Sequence, residues 1–268
     1  MSFCKNHNGN FLYLTIPSFS ETGLVNHGFT SRLGGVSKAP FNSMNLSIGR
    51  GDDPDAVKEN YKIAGDAIGF NPDRLVFFPQ VHKNDIFVAH EEDAGMGFRT
   101  DRPEYDGIIT NVKNLPIATF HADCTPIFLL DPIKEVVGVV HAGWRGTALQ
   151  AAGKAVLKMQ EVFSCKPENI LAGIGPCGGK CCYETHKDVP DAFISSIGDE
   201  ASDYFTPFGE KYLIDLAGLN RFILTRNGIL EKNITMSGIC TCCNSDTYWS
   251  HRATGGVRGG MAAIIMLR

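Results

Sequence analysis

Two short stretches carry side chains whose types and spacing suit chemistry. HADCTPIFLLDP (residues 121–132) places His121, Asp123 and Cys124 at the mouth of the apolar run Ile127–Leu130. VGVVHAGWRG repeats the pattern: the run Val136–Val140 ends on His141, and a Gly-rich turn with Trp144 and Arg145 follows. Polar groups beside buried strands cost free energy unless they are paired or bound. Two such strands, each ending in a metal-capable side chain, therefore point to one shared site. A third donor, His82 in PQVHKND, also follows an apolar stretch. Two imidazoles and a thiolate form a zinc-type donor set, and three protein ligands leave a fourth position open, the catalytic pattern. Zinc there would bring the pKa of a bound water near neutrality. A metal-free reading uses the same residues, with Cys124 as nucleophile and His141 as its base. In an extended chain His121 and Asp123 face one way, Ala122 and Cys124 the other. Asp123 thus reaches Cys124 only if the chain turns at Thr125-Pro126, which favours Asp123 as a supporting or substrate-contact group.

Other chemistry-bearing stretches carry weaker signals. FTSRLGGVS sets Arg32 before a Gly-Gly turn, and FNSMNLSIGRGDD puts Asn42, Asn45 and Arg50 on one loop. Arg beside flexible backbone suits a phosphate or a carboxylate. The nine cysteines include two clusters, CGGKCC (Cys177, Cys181, Cys182) and CTCC (Cys240, Cys242, Cys243). Their spacings are not paired Cys-x2-Cys knuckles, so they read as shielded thiols in loops rather than a zinc ribbon. HEE at His90–Glu92 and Pro176-Cys177 imitate a zinc deaminase signature, but three residues separate Cys177 from Cys181 and the match fails. None of the eight His forms a His-x-His pair, which argues against a multi-copper cluster.

The elements that must position these groups are legible from periodicity. Strand candidates are Phe11–Ile16, Asn26–Ser31, Leu75–Val81, Ile86–Ala89, Gly107–Thr110, Ile117–Ala122, Ile127–Leu130, Val136–His141, Ile170–Ile174, Tyr212–Asp215, Thr235–Ile239 and Met261–Leu267. One helix opens at Asp53-Pro54, a capping Asp followed by Pro, and carries Val57, Tyr61, Ala64 and Ile68 on one face. A second follows Arg145-Gly146 with Leu149, Ala152, Val156, Met159 and Phe163 as its apolar stripe. Weaker helical patterns cover Lys187–Ile197 and Ala217–Asn227. Many strands without regular βα alternation indicate an α+β fold with mixed sheets.

The 268 residues, 43% of them hydrophobic, suffice for a large core, and no linker splits them, so residues 1–268 read as a single domain. A net charge of −4 with no basic stripe makes nucleic acid an improbable partner. No apolar run reaches the roughly 20 residues that span a bilayer. MSFCKNHNGN lacks a signal core, so the expectation is a cytoplasmic monomer without a membrane partner.

In chain order, HGFTSRLGGVS, NLSIGRGDDPDAVKENY, QVHKND, DGIIT, ADCTPIFLLDP, VGVVHAGWRGT, IGPCGGKCCYE and CTCCNSDTYWSHR together resemble the YfiH family, also called the polyphenol oxidoreductase laccase domain or peptidoglycan editing factor family. The resemblance spans Asn26 to Leu267 and is most specific at the ADC and HAGWRG elements. It implies one domain of mixed β-sheets flanked by helices and a zinc site matching His82, Cys124 and His141, with copper disfavoured. It also implies phosphorolysis of adenosine, inosine and methylthioadenosine, plus adenosine deamination, with a purine nucleoside and phosphate as ligands. On that reading Cys124, His82, His141 and Asp123 form the catalytic group, and Arg32, Asn45 and Arg145 contact substrate. The alternatives are a peptidoglycan editing amidase acting on UDP-muramoyl-serine, and a non-catalytic nucleoside- or metal-binding module. The chain departs from the family pattern at Tyr61, where many members carry Arg. It departs again at Ala253 and Gly260, where Tyr-Arg-Arg and Thr-Gly-Arg are usual, although Arg258 lies nearby. These departures bear on phosphate binding.

Overall fold

In the computed structural model, which describes residues 2–268, the apolar runs become strands covered on both faces. One sheet contains β1 (Cys4–Asn8), β2 (Phe11–Thr15), β3 (Val25–Thr30), β6 (Ile117–His121) and β14 (Met261–Leu267), in the order β1-β2-β3-β14-β6 and antiparallel throughout. The other contains β4 (Ile86–Val88), β5 (Gly107–Thr110), β7 (Thr125–Asp131), β8 (Val136–Ala142), β9 (Leu171–Ile174) and β13 (Ile234–Met236), in the order β13-β9-β7-β8-β5-β4. Its two outer pairings, β4 with β5 and β9 with β13, are parallel, so the sheet is mixed. A small third sheet joins β10 (Glu184–Thr185), β11 (Phe205–Phe208) and β12 (Lys211–Ile214).

The two large sheets stack face to face, and period-two alternation decides which residue faces which layer. In β14, Met261, Ala263, Ile265 and Leu267 enter the core between the sheets. Ala262, Ile264 and Met266 point the other way, onto α2 (Pro54–Ile68). In β7, Phe128 and Leu130 face the inter-sheet core, whereas Ile127 and Leu129 face the layer of α4 (Ala151–Phe163), α5 (Asp188–Ile197) and α6 (Leu216–Arg226). The result is four layers, helix on sheet on sheet on helices, which is why the strands read as continuous apolar runs. The short α1 (Pro17–Ser20) connects β2 to β3. No helix among the described residues is long and apolar enough to cross a membrane.

Helix α2 begins as its sequence indicates: the Asp53 side chain accepts from the Asp55 N–H, and Gly69 closes the helix in a left-handed conformation. Three expectations are corrected. Leu75–Val81 is not a strand. Only Val76 bridges to Ile117, Pro79 has no N–H to donate, and the Gln80 side-chain amide replaces the ladder by bonding both the N–H and the carbonyl of Phe120. The expected second helix is two, α3 (Trp144–Ala148) and α4, broken where Gln150 takes φ 57°; Leu149, placed on the apolar stripe, is exposed. The turn between β6 and β7 falls at Asp123, with φ 81°, and Thr125-Pro126 already lies in β7.

Candidate metal and active site

The β6–β7 turn is where the chain leaves one large sheet and enters the other. Cys124 sits on that turn at the rim of the sandwich. His141 lies near the end of β8 and shares its face with Val137 and Val139, so it points between the sheets. His82 reaches in from the loop before β4. The three donor atoms lie within 4.8 Å of one another, and the Cys124 Sγ is 3.8 Å from the His82 Nε2. A tetrahedral zinc with ordinary Zn–N and Zn–S bonds sets its N and S ligands about 3.6 Å apart. The donor set therefore fits such an ion, and the exposed His82 leaves a solvent-facing side for a further ligand.

Asp106, at the entry to β5, organises this cluster, and the sequence reading did not single it out. Its fully buried carboxylate accepts from the backbone N–H groups of Val81 (3.2 Å), His82 (3.0 Å) and Lys83 (2.7 Å), and from His141 Nδ1 (2.8 Å). The three backbone donors hold His82 at φ 61°, a conformation uncommon outside glycine. The bond to His141 Nδ1 directs its Nε2 toward the site, the arrangement usual behind a ligating histidine. The available signal was an Asp directly before the buried run of DGIIT.

The electrostatics follow from the same contacts. Burial raises the Cys124 thiol, but the His141 charge and hydrogen bonds from His141 and His82 outweigh it and bring the thiol down to about 6. Burial lowers His141, yet the Cys124 thiolate and Asp106 raise it to about 9. Burial likewise raises Asp106, but its bonds to His141 and the Lys83 N–H hold it below the usual carboxylate range. Without a metal, the cluster is thus a thiolate–imidazolium pair backed by a carboxylate. Gly143 makes this proximity possible: a Cβ there would lie 2.8 Å from His82 Cδ2 and 3.0 Å from the Cys124 Sγ.

Other expected site residues are committed elsewhere. Asp123 accepts from the Thr241 hydroxyl (2.6 Å) and the Arg252 N–H (2.8 Å), which anchors the turn. His121 has both ring nitrogens engaged, with the Cys124 carbonyl and Thr119 Oγ1; burial first, then the charge of His141, keeps it neutral. Arg32 stacks on Trp249 at 3.9 Å and donates to the Ser245 and Asn42 carbonyls. Asn45 accepts from Ser47 and Gly260 and donates to Asp52. Arg145 is exposed against Trp144. None of these three lines the cavity that holds the cluster.

That cavity, about 270 Å³, is lined by His82, Cys124 and His141, by Phe77, Phe78 and Phe120, and by Arg50, Arg102 and Arg258. The Nε groups of Arg102 and Arg258 are buried without hydrogen-bond partners. Burial and the neighbouring Arg50 charge lower Arg258 to about 10. A pocket that crowds guanidinium groups in this way suits an anion. A larger recess of about 810 Å³ runs along α2 and shares only Ser47 and Ile48 with this cavity. None of the three clustered donors lines it, so its size does not make it the reactive site.

The family profile described as multi-copper polyphenol oxidoreductase laccase matches residues 26–268. A Bacillus subtilis protein named purine nucleoside phosphorylase YlmD is 37% identical over 95% of this chain and 94% of its own length. The Escherichia coli purine nucleoside phosphorylase YfiH is 32% identical over 95% and 98%. The crystal structure of a Bacillus licheniformis hypothetical protein YfiH superposes with a TM-score of 0.92, at 32% identity, covering 98% of this chain and 99% of that one. The chain belongs to the YfiH family.

Within the YfiH frame, two departures are accompanied by cations from other positions. Tyr61 is buried, donates its hydroxyl to the Leu46 carbonyl (2.7 Å) and stacks on Phe77, while the Arg102 guanidinium lies over the Phe77 ring, 5.0 Å from its centre. A Cβ at Gly260 would come within 2.0 Å of Ser47 Oγ, so a side chain there requires that hydroxyl to turn away, and Arg258 supplies a guanidinium to the cavity from two residues earlier.

Proposed function

We propose that this chain is a zinc-dependent purine nucleoside phosphorylase acting on adenosine, inosine and methylthioadenosine, with adenosine deaminase activity at the same site. The observation that carries the reading is one cavity in which a His–Cys–His cluster, an aromatic wall and the guanidinium groups of Arg50, Arg102 and Arg258 meet. The names of relatives that match nearly the whole chain support the purine nucleoside phosphorylase part of this reading.

His82, Cys124 and His141 would hold the zinc, with Asp106 fixing the tautomer of His141. A zinc ion held there supplies Lewis acidity to an oxygen or nitrogen at its open position. Phe120, half-buried in the cavity wall with Phe77 packed edge-on behind it, offers an apolar surface against which a purine can lie while water is excluded. Arg50, Arg102 and Arg258 hold and orient phosphate, and its binding relieves their mutual repulsion. A phosphate oxygen then attacks the anomeric carbon as the bond to the base breaks; the base departs with that electron pair and takes up a proton. Deamination uses the same pocket, with water attacking the amino-bearing purine carbon and ammonia leaving.

The test is turnover of inosine and adenosine with and without phosphate, beside His82→Ala, Cys124→Ala and Arg258→Ala proteins. Phosphate-dependent base release should disappear in the first two and show a raised KM for phosphate in the third. No nucleoside turnover by metal-loaded protein would overturn the reading. Phosphate-independent release of serine from UDP-muramoyl-serine would then assign the site to amide hydrolysis.

A further inference from the structure

A second cluster of metal-capable side chains lies outside the cavity. Cys181 and Cys182 on the segment before β10 meet Cys240 and Cys243 on the segment after β13, with all four sulfurs within 4.8 Å of one another. The Cys243 Sγ is 3.4 Å from both the Cys181 and the Cys182 Sγ. The spacing within each cluster argues against a zinc ribbon, because the four residues come from segments about sixty positions apart and each segment contributes an incomplete motif. A bridge between Cys177 and Cys240 brings the segments together, with the Thr241 N–H donating to the Cys177 carbonyl at 2.9 Å. Two of the cysteines are exposed and two half-buried, which corrects the expectation of shielded thiols.

We propose that Cys181, Cys182, Cys240 and Cys243 form a structural tetrathiolate site for a single zinc ion. Three observations support it. First, a tetrahedral ion with metal–sulfur bonds of about 2.3 Å separates its sulfurs by about 3.8 Å. The observed separations, from 3.4 Å to no more than 4.8 Å, bracket that value and are far from the 2.03–2.05 Å of a disulfide. Second, the Cys240 Sγ accepts backbone N–H groups from Gly179 (3.3 Å) and Cys243 (3.5 Å). Donors aimed at a sulfur stabilise it as a thiolate, the form a metal takes. Third, Gly179 keeps the cradle open: a Cβ there would lie 3.2 Å from the Cys240 Sγ and 3.3 Å from the Cys181 Sγ. Four sulfurs without an open position make a closed, structural site rather than a catalytic one. Binding converts four thiols to four thiolates and releases four protons, leaving the site with a charge of minus two. Sulfur prefers zinc to magnesium or calcium in such a set.

The site would act as a clasp beside the reactive cavity. Both segments that carry the cysteines also hold the Asp123 turn: the Gly178 N–H donates to its carbonyl at 2.8 Å, and Thr241 and Arg252 bond its carboxylate. Cys124 is the next residue. Closing the clasp therefore stiffens the turn that carries a ligand of the first site, yet the clasp itself does not depend on the proposed activity.

The deciding experiment is cobalt loading of the Cys124→Ala protein, in which the first site has lost its only thiolate. A tetrathiolate cobalt spectrum, with strong sulfur-to-cobalt charge transfer and intense visible bands, is expected there and should be lost in Cys124→Ala/Cys243→Ser protein. Metal analysis of protein produced with added zinc should show one ion per chain fewer in Cys181→Ser/Cys243→Ser than in wild type. Absence of cobalt–thiolate absorption in the Cys124→Ala protein would overturn the proposal. So would equal zinc content in wild type and the double variant, or intact mass showing these cysteines as disulfides in anaerobically prepared protein. Wild-type cobalt protein gives a second reading should a variant fold poorly: its charge-transfer intensity must exceed that of one thiolate.

Discussion

Cys124 and His141 share charge so closely that each sets the other's titration. A thiolate, not a thiol, is alkylated. In metal-free protein the rate of Cys124 alkylation by iodoacetamide should rise with a midpoint near pH 6, against about 8.5 for an ordinary cysteine. Asp106→Asn removes the charge that supports the imidazolium and should move that midpoint upward. An unmoved midpoint would show that the carboxylate has no hold on the pair. The stability consequence has two limbs. The His141 contribution is fully present below its unfolded value of about 6.5 and is lost as pH rises through about 9. The Cys124 contribution is present above its unfolded value of about 8.5 and is lost as pH falls through about 6. Gly143 supplies a second prediction. The Cβ of Gly143→Ala collides with His82 and Cys124 without straining the backbone, so zinc affinity at this site should fall on the order of tenfold, as when a metal's supporting shell is disturbed. Competition against a chromophoric chelator measures it, and wild-type affinity would refute the close-approach argument.

At the scale of elements, the loop carrying Arg50 is held by a helix rather than by a sheet. Asn60, fully buried on α2, accepts from the Val36 N–H at 2.8 Å and donates to the Asn45 carbonyl at 2.9 Å and the Ser37 hydroxyl at 2.9 Å. Asn60→Ala strands these groups away from water. It should cost about 1–3 kcal/mol of stability, read as a lower denaturant midpoint at unchanged slope. If the loop's position sets Arg50, the phosphate KM should rise as well. A loss of stability without that rise would confine Asn60 to folding.

For the whole molecule, the cavity belongs to neither large sheet alone. Cys124 stands where the chain crosses from one to the other, His141 lies near the end of β8 in the second, and Phe120 near the end of β6 in the first. The sheets are held together by side chains such as Phe128, fully buried between them. Phe128→Ala should cost about 3–5 kcal/mol. In Cys181→Ser/Cys243→Ser protein, where only the first site remains, zinc at a hundredfold excess over its Kd should return about 2.7 kcal/mol, because only the folded sandwich assembles the ligands. Thermal melts with and without zinc test this; a zinc-insensitive midpoint would mean that the ion does not bind the native site.

Most of the layers and part of the site are legible in short runs of consecutive residues. Alternation in β7, β8 and β14, the Asp53-Pro54 helix start, and a His or Cys at the end of an apolar run are local features that a few consecutive residues specify. The tertiary structure alone decided the rest. Asp106 meets His141 across thirty-five positions, Arg258 reaches the cavity wall, and the side chains of Asp123, Arg32 and Asn45 are hydrogen-bonded within the fold. The four clustered cysteines meet only because two distant loops pair. Periodicity encodes which face a side chain takes; it carries no record of which distant segment comes to lie opposite, because that follows from how both sheets and their helices pack at once.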